Sequence, residues 1–289
     1  MLPELQERDA TGDLAVIYGE IRRLWGVPYV SSLQRHLATR PGWLEWTWAA
    51  LAPAFTSGRA QAAARRAADG LEVPRLAPLS RDVLAVWGID AAGEAAIRAA
   101  CASFVRVSPI NLMLSGLLRG LLRGERPAGG TGTEEAFTPP PPLGPLPPLV
   151  DPDTLPAASR AVLASLGTTV DGAPFVPGLY RMLAAWPGFL AHVATELRPL
   201  LDHGVTGGDR AAGAATGAGA AREIFGRLLA AVDAEIPALF AALPPLPASP
   251  PRPPADDVPA VLAALNTYRK TSPEMVVFGR MLGDALPPP

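Results

Sequence analysis

One stretch of the sequence occurs twice, and this repeat restricts the folds that the chain can adopt. Residues 28–55 read PYVSSLQRHLATRPGWLEWTWAALAPAF, and residues 174–201 read PFVPGLYRMLAAWPGFLAHVATELRPLL. The two segments align without a gap and share apolar residues, an arginine (Arg35 and Arg181) and a Pro-Gly pair. Proline, glycine and arginine residues that recur at one constant sequence offset indicate an internal duplication. Such a duplication has to be recognised before the fold is assigned.

A second pair of similar segments marks the far end of the repeated unit. Residues 96–109 read AIRAACASFVRVSP, and residues 260–273 read AVLAALNTYRKTSP. Each segment closes on a Ser-Pro pair, and because proline suits the first turn of a helix, we expect new helices to begin at Pro109 and Pro273. The spacing is larger here than in the first pair, so the second half contains insertions.

The composition predicts a protein made of helices. Hydrophobic residues account for 49% of the chain, and most of them are Ala and Leu, which favour helices. Alternating β-branched runs are missing. The apolar spacing and the Pro and Gly positions predict helices over 13–25, 28–39, about 43–55, 80–87, 91–104, 109–122 and about 219–242.

We therefore predict an all-α fold of two tandem, pseudo-symmetric helical repeats that pack as an internal pseudo-dimer. Residues 1–123 form the first repeat, 124–157 a Pro-rich linker of extended polyproline type, and 158–289 the second repeat. The Gly-rich residues 207–219 are read as an insertion, and Glu134 and Glu135 as solvated linker residues. A repeat pair packed about a pseudo-twofold axis leaves a cleft between facing helices, where helical folds bind ligands.

Charge and hydropathy exclude several kinds of partner. The formal net charge is −2 and there is no run of Lys or Arg, which argues against nucleic acid. The longest apolar run is far shorter than the roughly 20 residues that span a membrane. The first residues lack the features of a secretory signal. We expect a cytoplasmic protein, a monomer or a homodimer, without a membrane partner.

The order of these motifs resembles the group I (DehI-type) 2-haloacid dehalogenases of the AhpD-like all-α group. The resemblance rests on an IYGEIRR helix, the GVPYV segment, the Pro-Gly before a Trp-rich helix, the linker and the second copy. It covers residues 14–123 and 159–286. It implies two pseudo-symmetric helical repeats and a hydrolase that needs no cofactor or metal. In such enzymes a carboxylate activates a water that displaces the halide from a 2-halocarboxylic acid.

The resemblance also implies where the site lies, and the chain departs from it at two positions. An aromatic residue is expected at Tyr29 and is present, whereas the expected Asn falls on Ser108. The expected Ser-Asp pair falls on Gly178-Leu179, and a leucine cannot act as a base. The residues predicted to line the substrate site are Tyr29, Ser32, Leu33, Ser108, Gly178 and Leu179.

Two other groups are fallback candidates for the missing base. Asp171 precedes the helix that contains Leu179, and it would have to reach the site through a loop. His36 lies one turn beyond Leu33 and is either packed in the core or a general base facing the cleft. Arg35 and Arg181 are either carboxylate clamps or ties between their helices and nearby loops.

Other chemistry finds little support in the sequence. Cys101 is the single cysteine, so neither a disulfide nor the Cys-x-x-Cys of AhpD-like peroxidases is possible, and a buried thiol is the simpler interpretation. The chain has three histidines, none at metal-ligand spacing. We expect a 2-haloacid dehalogenase-type hydrolase with impaired or altered activity. The alternative is a non-catalytic protein of the same fold that binds a small carboxylate or apolar ligand.

Overall fold

Helices make up most of the computed structural model, which describes residues 2–127, 129, 137–144, 146–201 and 212–289, without the side chains of 212–218. This confirms the all-α prediction. The helices are α1 (Gly12–Trp25), α2 (Ser32–Leu37), α3 (Trp43–Thr56), α4 (Arg59–Ala68), α5 (Arg81–Val86), α6 (Ala91–Leu122), α7 (Ala157–Ala164), α8 (Gly178–Leu183), α9 (Pro187–Leu197), α10 (Ala212–Ala242) and α11 (Val258–Ala285). Short 3₁₀ turns lie at Glu7–Asp9, Pro152–Thr154, Arg198–Leu200 and Ala255–Asp257.

The chain forms two compact units, and each unit contains segments from both halves of the sequence. The first consists of residues 1–69, 106–142 and 228–273, and the second of 70–105, 143–227 and 274–289. Helices α6, α10 and α11 each contribute residues to both units. The repeat boundaries at 1–123, 124–157 and 158–289, and the pseudo-dimer packing, stay predictions.

Helix α1 begins and ends as predicted, with one difference at its start. Its apolar stripe is buried at Ile17, Ile21 and Leu24, and Gly26 ends the helix in the left-handed conformation with φ 63°. Thr11 occupies the N-cap position, but its side chain makes no capping hydrogen bond. Burial of the stripe therefore matters more to this helix than its cap.

Helix α2 is shorter than the predicted helix over 28–39. It begins at Ser32 because the backbone before it is extended, including Ser31 with ψ 155°. The N–H of Val30 donates to Oε1 of Glu7 at 2.8 Å, which holds this part of the chain away from a helical path. The prediction that Pro28 opens the helix is therefore wrong.

The sequence predicted that a new helix begins at each of the two Ser-Pro pairs, and this prediction is wrong. Pro109 lies inside the continuous helix α6, and Pro273 lies inside α11. A proline within a helix removes one hydrogen bond and costs roughly 3 kcal/mol. Ile110 and Val276, which follow the prolines, are buried, and the burial of apolar side chains near each proline offsets this cost.

One short hairpin accompanies the helices, which the sequence analysis did not predict. β1 (Thr168–Val170) pairs antiparallel with β2 (Ala173–Phe175). Asp171 and Gly172 form the turn with φ of 49° and 77°, values that suit a two-residue hairpin loop. The Asp-Gly pair between Val170 and Ala173 is a hairpin signal that the composition argument overlooked.

In the first unit, glycines allow α6 and α10 to approach closely. A Cβ built on Gly120 would lie 2.6 Å from Cε2 of Phe240, and one on Gly116 would lie 2.9 Å from Cδ1 of Ile236. The described part of the linker also packs on this unit: Arg106 Nη1 donates to the carbonyls of Gly26 and Pro141 at 2.7 and 2.8 Å. The linker is thus anchored at these residues.

In the second unit, α11 packs on the first part of α6 in a similar way. A Cβ on Gly279 would lie 2.9 Å from Cγ2 of Val105 and 3.1 Å from the carbonyl oxygen of Cys101. Cys101 is buried, and burial raises the pKa of its thiol to about 12. This supports the interpretation of Cys101 as a buried thiol. His192 stacks on Trp87 with ring centroids 5.1 Å apart.

Helix α6 is long and apolar enough to pass a test for a membrane span, with a mean hydropathy of 1.4 in its most apolar window. Within that window, 83% of the residues are buried inside the protein. A core helix of a soluble protein has these properties, so the helix is weak support for a membrane segment.

Substitution of Gly120 by alanine should destabilise the protein, because the added methyl group collides with the ring of Phe240. We expect a loss of about 1–3 kcal/mol of unfolding free energy. Gly19→Ala is the matched control, since nothing lies within 4 Å of a Cβ at that helical glycine, and it should add about 0.5–1 kcal/mol. Urea unfolding followed by circular dichroism measures both changes. Equal effects of the two substitutions would contradict the close packing of α6 on α10.

Candidate functional site

Helix α2 turns an unusual number of polar side chains into the interior of the first unit. Gln34, Arg35 and His36 are all buried, together with Leu33 and Leu37 on the same short helix. A buried polar group without a hydrogen bond is costly. The neighbours of α2 therefore have to supply partners, and these partners define the candidate site.

A chain of hydrogen bonds links α2 to the middle of α6. Gln34 Nε2 donates to Asn111 Oδ1 at 2.8 Å, and Asn111 Nδ2 donates to Ser31 Oγ at 2.8 Å. Gln34 is 0% exposed, and its Oε1 has no hydrogen-bond partner. The cluster thus holds an acceptor that a donor on a bound molecule would satisfy.

The sequence analysis did not single out Asn111. The resemblance implied an asparagine side chain in the site and placed it at position 108, where this chain has Ser108. Ser108 is buried one helical turn earlier on α6. Residues three apart lie on the same side of a helix, so both face the same part of the unit, but the amide with a network is Asn111. An amide within the apolar run INLMLSGLL was the signal available in the sequence.

The N-terminal segment, residues 2–7, lies along α2 and binds its polar residues. The N–H of Leu5 donates to the carbonyl of Arg35 at 3.0 Å, and Nδ1–H of His36 donates to the carbonyl of Pro3 at 2.9 Å. Glu4 Oε2 and Arg35 Nη2 form a buried ion pair at 2.7 Å. His36 is therefore packed against this segment, and burial lowers its pKa.

The other predicted residues of the first unit lie next to these contacts. Ser32 Oγ accepts from Arg35 Nη2 at 3.4 Å, while Leu33 is fully buried and Tyr29 nearly so. The pKa of the buried Tyr268 phenol is raised well above its usual value by burial first and then by the charge of Glu4, while the Ser32 hydroxyl and Arg35 oppose this rise. Tyr268 therefore belongs to the same cluster.

Arg35 and Arg181 each attach an extended segment to a helix. Arg181 Nε donates to the carbonyl of Val150 at 3.1 Å, and the N–H of Val150 donates back to the carbonyl of Arg181 at 3.3 Å. In the first unit Leu5 takes the place of Val150 in the backbone contact. This geometry supports the tie between helix and loop for both arginines, with an added carboxylate on Arg35.

The second unit contains the predicted positions Gly178 and Leu179, at the start of α8. Leu179 is 0% exposed. A Cβ on Gly178 would lie 3.0 Å from Cζ of Phe104, so the serine that the resemblance implies at this position would require Phe104 to move. The structure offers no polar atom at either position beyond the backbone.

Next to Leu179, the side chain of Tyr180 is an unexpected polar group in the second unit. Tyr180 is fully buried and its hydroxyl has no hydrogen-bond partner. Burial raises its pKa well above the usual value, and the charge of Glu274 raises it further. Glu274 is itself a buried carboxylate on α11. The sequence reasoning missed it, although an acid before the apolar run MVVF was a visible signal.

The fallback base Asp171 lies at the exposed tip of the hairpin turn. Its carboxylate therefore faces solvent, and it is not part of a buried cluster. The predictions for Glu134 and Glu135 and part of the predicted insertion at 207–219 fall outside the described residues. One of the three histidines, His203, also falls outside them. Within the described ranges, no three His, Cys, Asp or Glu side chains come together as a metal site.

Comparisons with known proteins identify the fold. No protein-family profile matches the chain, and no curated protein matches it. Among solved structures, a D-2-haloacid dehalogenase mutant with D-2-CPA matches with a TM-score of 0.69 and 17% identity, over 99% of this chain and 96% of that one. A D-2-haloacid dehalogenase with L-LA matches with a TM-score of 0.69 and 18% identity, over the same shares. A D-2-halacid dehalogenase mutant matches with a TM-score of 0.71 and 20% identity, again over 99% and 96%.

The chain therefore has the fold of the D-2-haloacid dehalogenases, as the resemblance implied. The match runs along almost the full length of both chains. At these identities it establishes the fold and leaves the chemistry to the residues of this chain.

The buried His36 should make stability depend on pH. Because its pKa is lowered in the folded state, the unfolded chain binds more protons as pH falls below about 6.5. Unfolding free energy should decrease there, by at most about 1.4 kcal/mol per pH unit, until the folded-state pKa is passed. His36→Asn keeps a donor for the Pro3 carbonyl and removes the titration. Urea midpoints between pH 5 and 8 should be flatter for this variant, and an unchanged slope would contradict a buried, neutral His36.

Proposed function

We propose that the protein is haloacid dehalogenase-like, binds small 2-substituted carboxylic acids, and hydrolyses carbon–halogen bonds in an impaired or altered way. The full-length fold match supports the class of protein. The single observation that carries the altered chemistry is Leu179, a fully buried apolar side chain where the resemblance requires a carboxylate.

A leucine at this position removes the proton acceptor from the implied reaction. There a carboxylate takes a proton from water, the water oxygen forms a bond to C2 of the acid, and the carbon–halogen bond breaks to release halide. Loss of a general base commonly costs about 10²- to 10⁴-fold in rate. The crowding of Gly178 by Phe104 agrees with a site that has been remodelled.

Parts of a polar site nevertheless remain. We assign the amide role to Asn111 instead of Ser108, because Asn111 is buried and takes part in a hydrogen-bond chain whose last member, Gln34, keeps an open acceptor. In the second unit the buried carboxylate of Glu274 acts on Tyr180, the neighbour of Leu179. If hydrolysis persists, Glu274 is the group that we expect to accept the proton of the water.

The second candidate is a protein that binds a small carboxylate or apolar ligand and does not catalyse a reaction. The complete burial of Leu179 favours it, since a leucine at this position gives the second unit an apolar side chain where the resemblance implies a carboxylate. Binding of racemic 2-chloropropionate in calorimetry, without halide release, would support this candidate over the first.

Restoring the carboxylate at position 179 should raise halide release from racemic 2-chloropropionate. The unmodified protein is expected to release little halide above a buffer blank. Leu179→Asp should increase release by at least about tenfold, and adding Ser108→Asn should bring no further gain if Asn111 is the amide. Leu183→Asp is the matched control and should bring no gain, because it buries an acid at another fully buried leucine of α8 that is not predicted to line the site.

Circular dichroism of each variant checks that the helices remain. A folded Leu179→Asp protein without increased release, alone or together with Ser108→Asn, would contradict the role assigned to position 179. A gain that requires both substitutions would restore Ser108 as the amide position.

Any residual halide release should depend on Glu274. Glu274→Gln keeps the size of the side chain and removes the base, so release should fall by about 10²-fold or more. Glu223→Gln, at an exposed acid of α10, is the matched control and should leave release unchanged. Equal rates in the two variants would exclude Glu274 as the base.

A further inference from the structure

The buried ion pair between Glu4 and Arg35 leaves part of the guanidinium unused. Glu4 Oε2 lies 2.7 Å from Arg35 Nη2, and the two side chains are only 7% and 5% exposed. Arg35 Nε is buried and has no hydrogen-bond partner. A carboxylate that pairs with arginine in its preferred geometry uses two parallel N–H bonds. The N–H at Arg35 Nε is therefore a buried donor that remains open.

We propose that Arg35, with Ser32 and Tyr268, forms a binding site for small carboxylates, which Glu4 occupies in the described state and a free carboxylic acid enters by replacing it. The ion pair of Glu4 with Arg35 shows that a carboxylate fits against this guanidinium. The proposal takes its ligand class from the proposed function, but it does not depend on hydrolysis.

Charge balance makes the replacement specific for carboxylates. Arg35 is buried, and a buried cation without a counter-ion is strongly unfavourable. Exchanging Glu4 for a free carboxylate keeps one negative charge beside the guanidinium, whereas a neutral amide or an amine would leave the charge unbalanced. The Ser32 hydroxyl, already 3.4 Å from Arg35 Nη2, is a further donor to the second carboxylate oxygen.

The segment that carries Glu4 is held by contacts that local opening can release. Its backbone is attached to α2 by the Leu5 N–H to the Arg35 carbonyl at 3.0 Å, and the Tyr18 hydroxyl donates to the Leu5 carbonyl at 3.2 Å. Leu2 is its buried apolar anchor. Segments with few buried apolar contacts open with little free energy. The corresponding contact at Arg181 and Val150 shows that such a segment can be held through backbone groups.

Removal of the internal carboxylate should expose the site to ligands. In Glu4→Ala, sodium propionate should raise the melting temperature and bind in calorimetry at least about tenfold more tightly than to the unmodified protein. Propionamide and sodium chloride at equal concentration should do neither. Adding Arg35→Met to Glu4→Ala should abolish propionate binding.

Glu20→Ala is the matched control for the removal of a hydrogen-bonded carboxylate. Glu20 Oε2 accepts from Trp48 Nε1 at 2.6 Å in the same unit, so this variant also loses a hydrogen-bonded carboxylate, but not one paired with Arg35. It should gain no affinity for propionate. If Glu4→Ala does not fold alone, propionate present during refolding should restore its helical signal.

In the unmodified protein, propionate should increase hydrogen exchange at the backbone amides of residues 4–7. A folded Glu4→Ala protein without carboxylate-specific stabilisation would overturn the proposal, as would a refolding yield that propionate does not change. Because propionate contains no halogen, these results are separate from the halide-release assay. Failure of that assay with propionate binding intact would count against hydrolysis alone.

Discussion

Burial of the polar side chains of α2 is the constraint on which the first unit depends. Six residues from Ser32 to Leu37 carry Gln34, Arg35 and His36 into the interior, where each unpaired polar group would cost free energy. Their partners come from two distant parts of the chain: Asn111 on α6, and the N-terminal segment with the carbonyl of Pro3 and the carboxylate of Glu4. The position of the N-terminal segment and the register of α6 follow from these bonds.

The requirement that buried polar groups be paired is met differently in the two predicted copies. In the first, a carboxylate neutralises Arg35, and an amide chain fills the space beside it. In the second, Leu179 and the crowded Gly178 lie at the positions where the resemblance implies polar groups. The buried polar side chains there are Tyr180, next to Leu179 in sequence, and Glu274, whose charge acts on Tyr180. Fold and chemistry are set by different residues, which is why the fold match alone leaves the reaction open.

Close packing through glycine is the second feature that the helices share. Gly116 and Gly120 bring α10 onto α6 in the first unit, and Gly279 brings α11 onto α6 in the second. These contacts stabilise long helices that each contain an internal proline, because well-packed apolar surface offsets one missing hydrogen bond. The continuity of α6 places Ser108 and Asn111 on one rigid element, so their spacing is fixed.

The sequence by itself determined the helical class and the positions of α1 and α5. Helix α1 ends at Gly26, and α5 follows Ser80, whose Oγ accepts from the N–H of Val83 at 3.2 Å. These features depend on residues close in sequence, and local propensity decides them. Only the tertiary structure decided that α6 continues through Pro109, that Asn111 is the amide with partners, and that Glu4 pairs with Arg35. Those outcomes depend on which residues, distant in sequence, are buried together. The spacing of residues along the sequence does not reveal the desolvation energies that result.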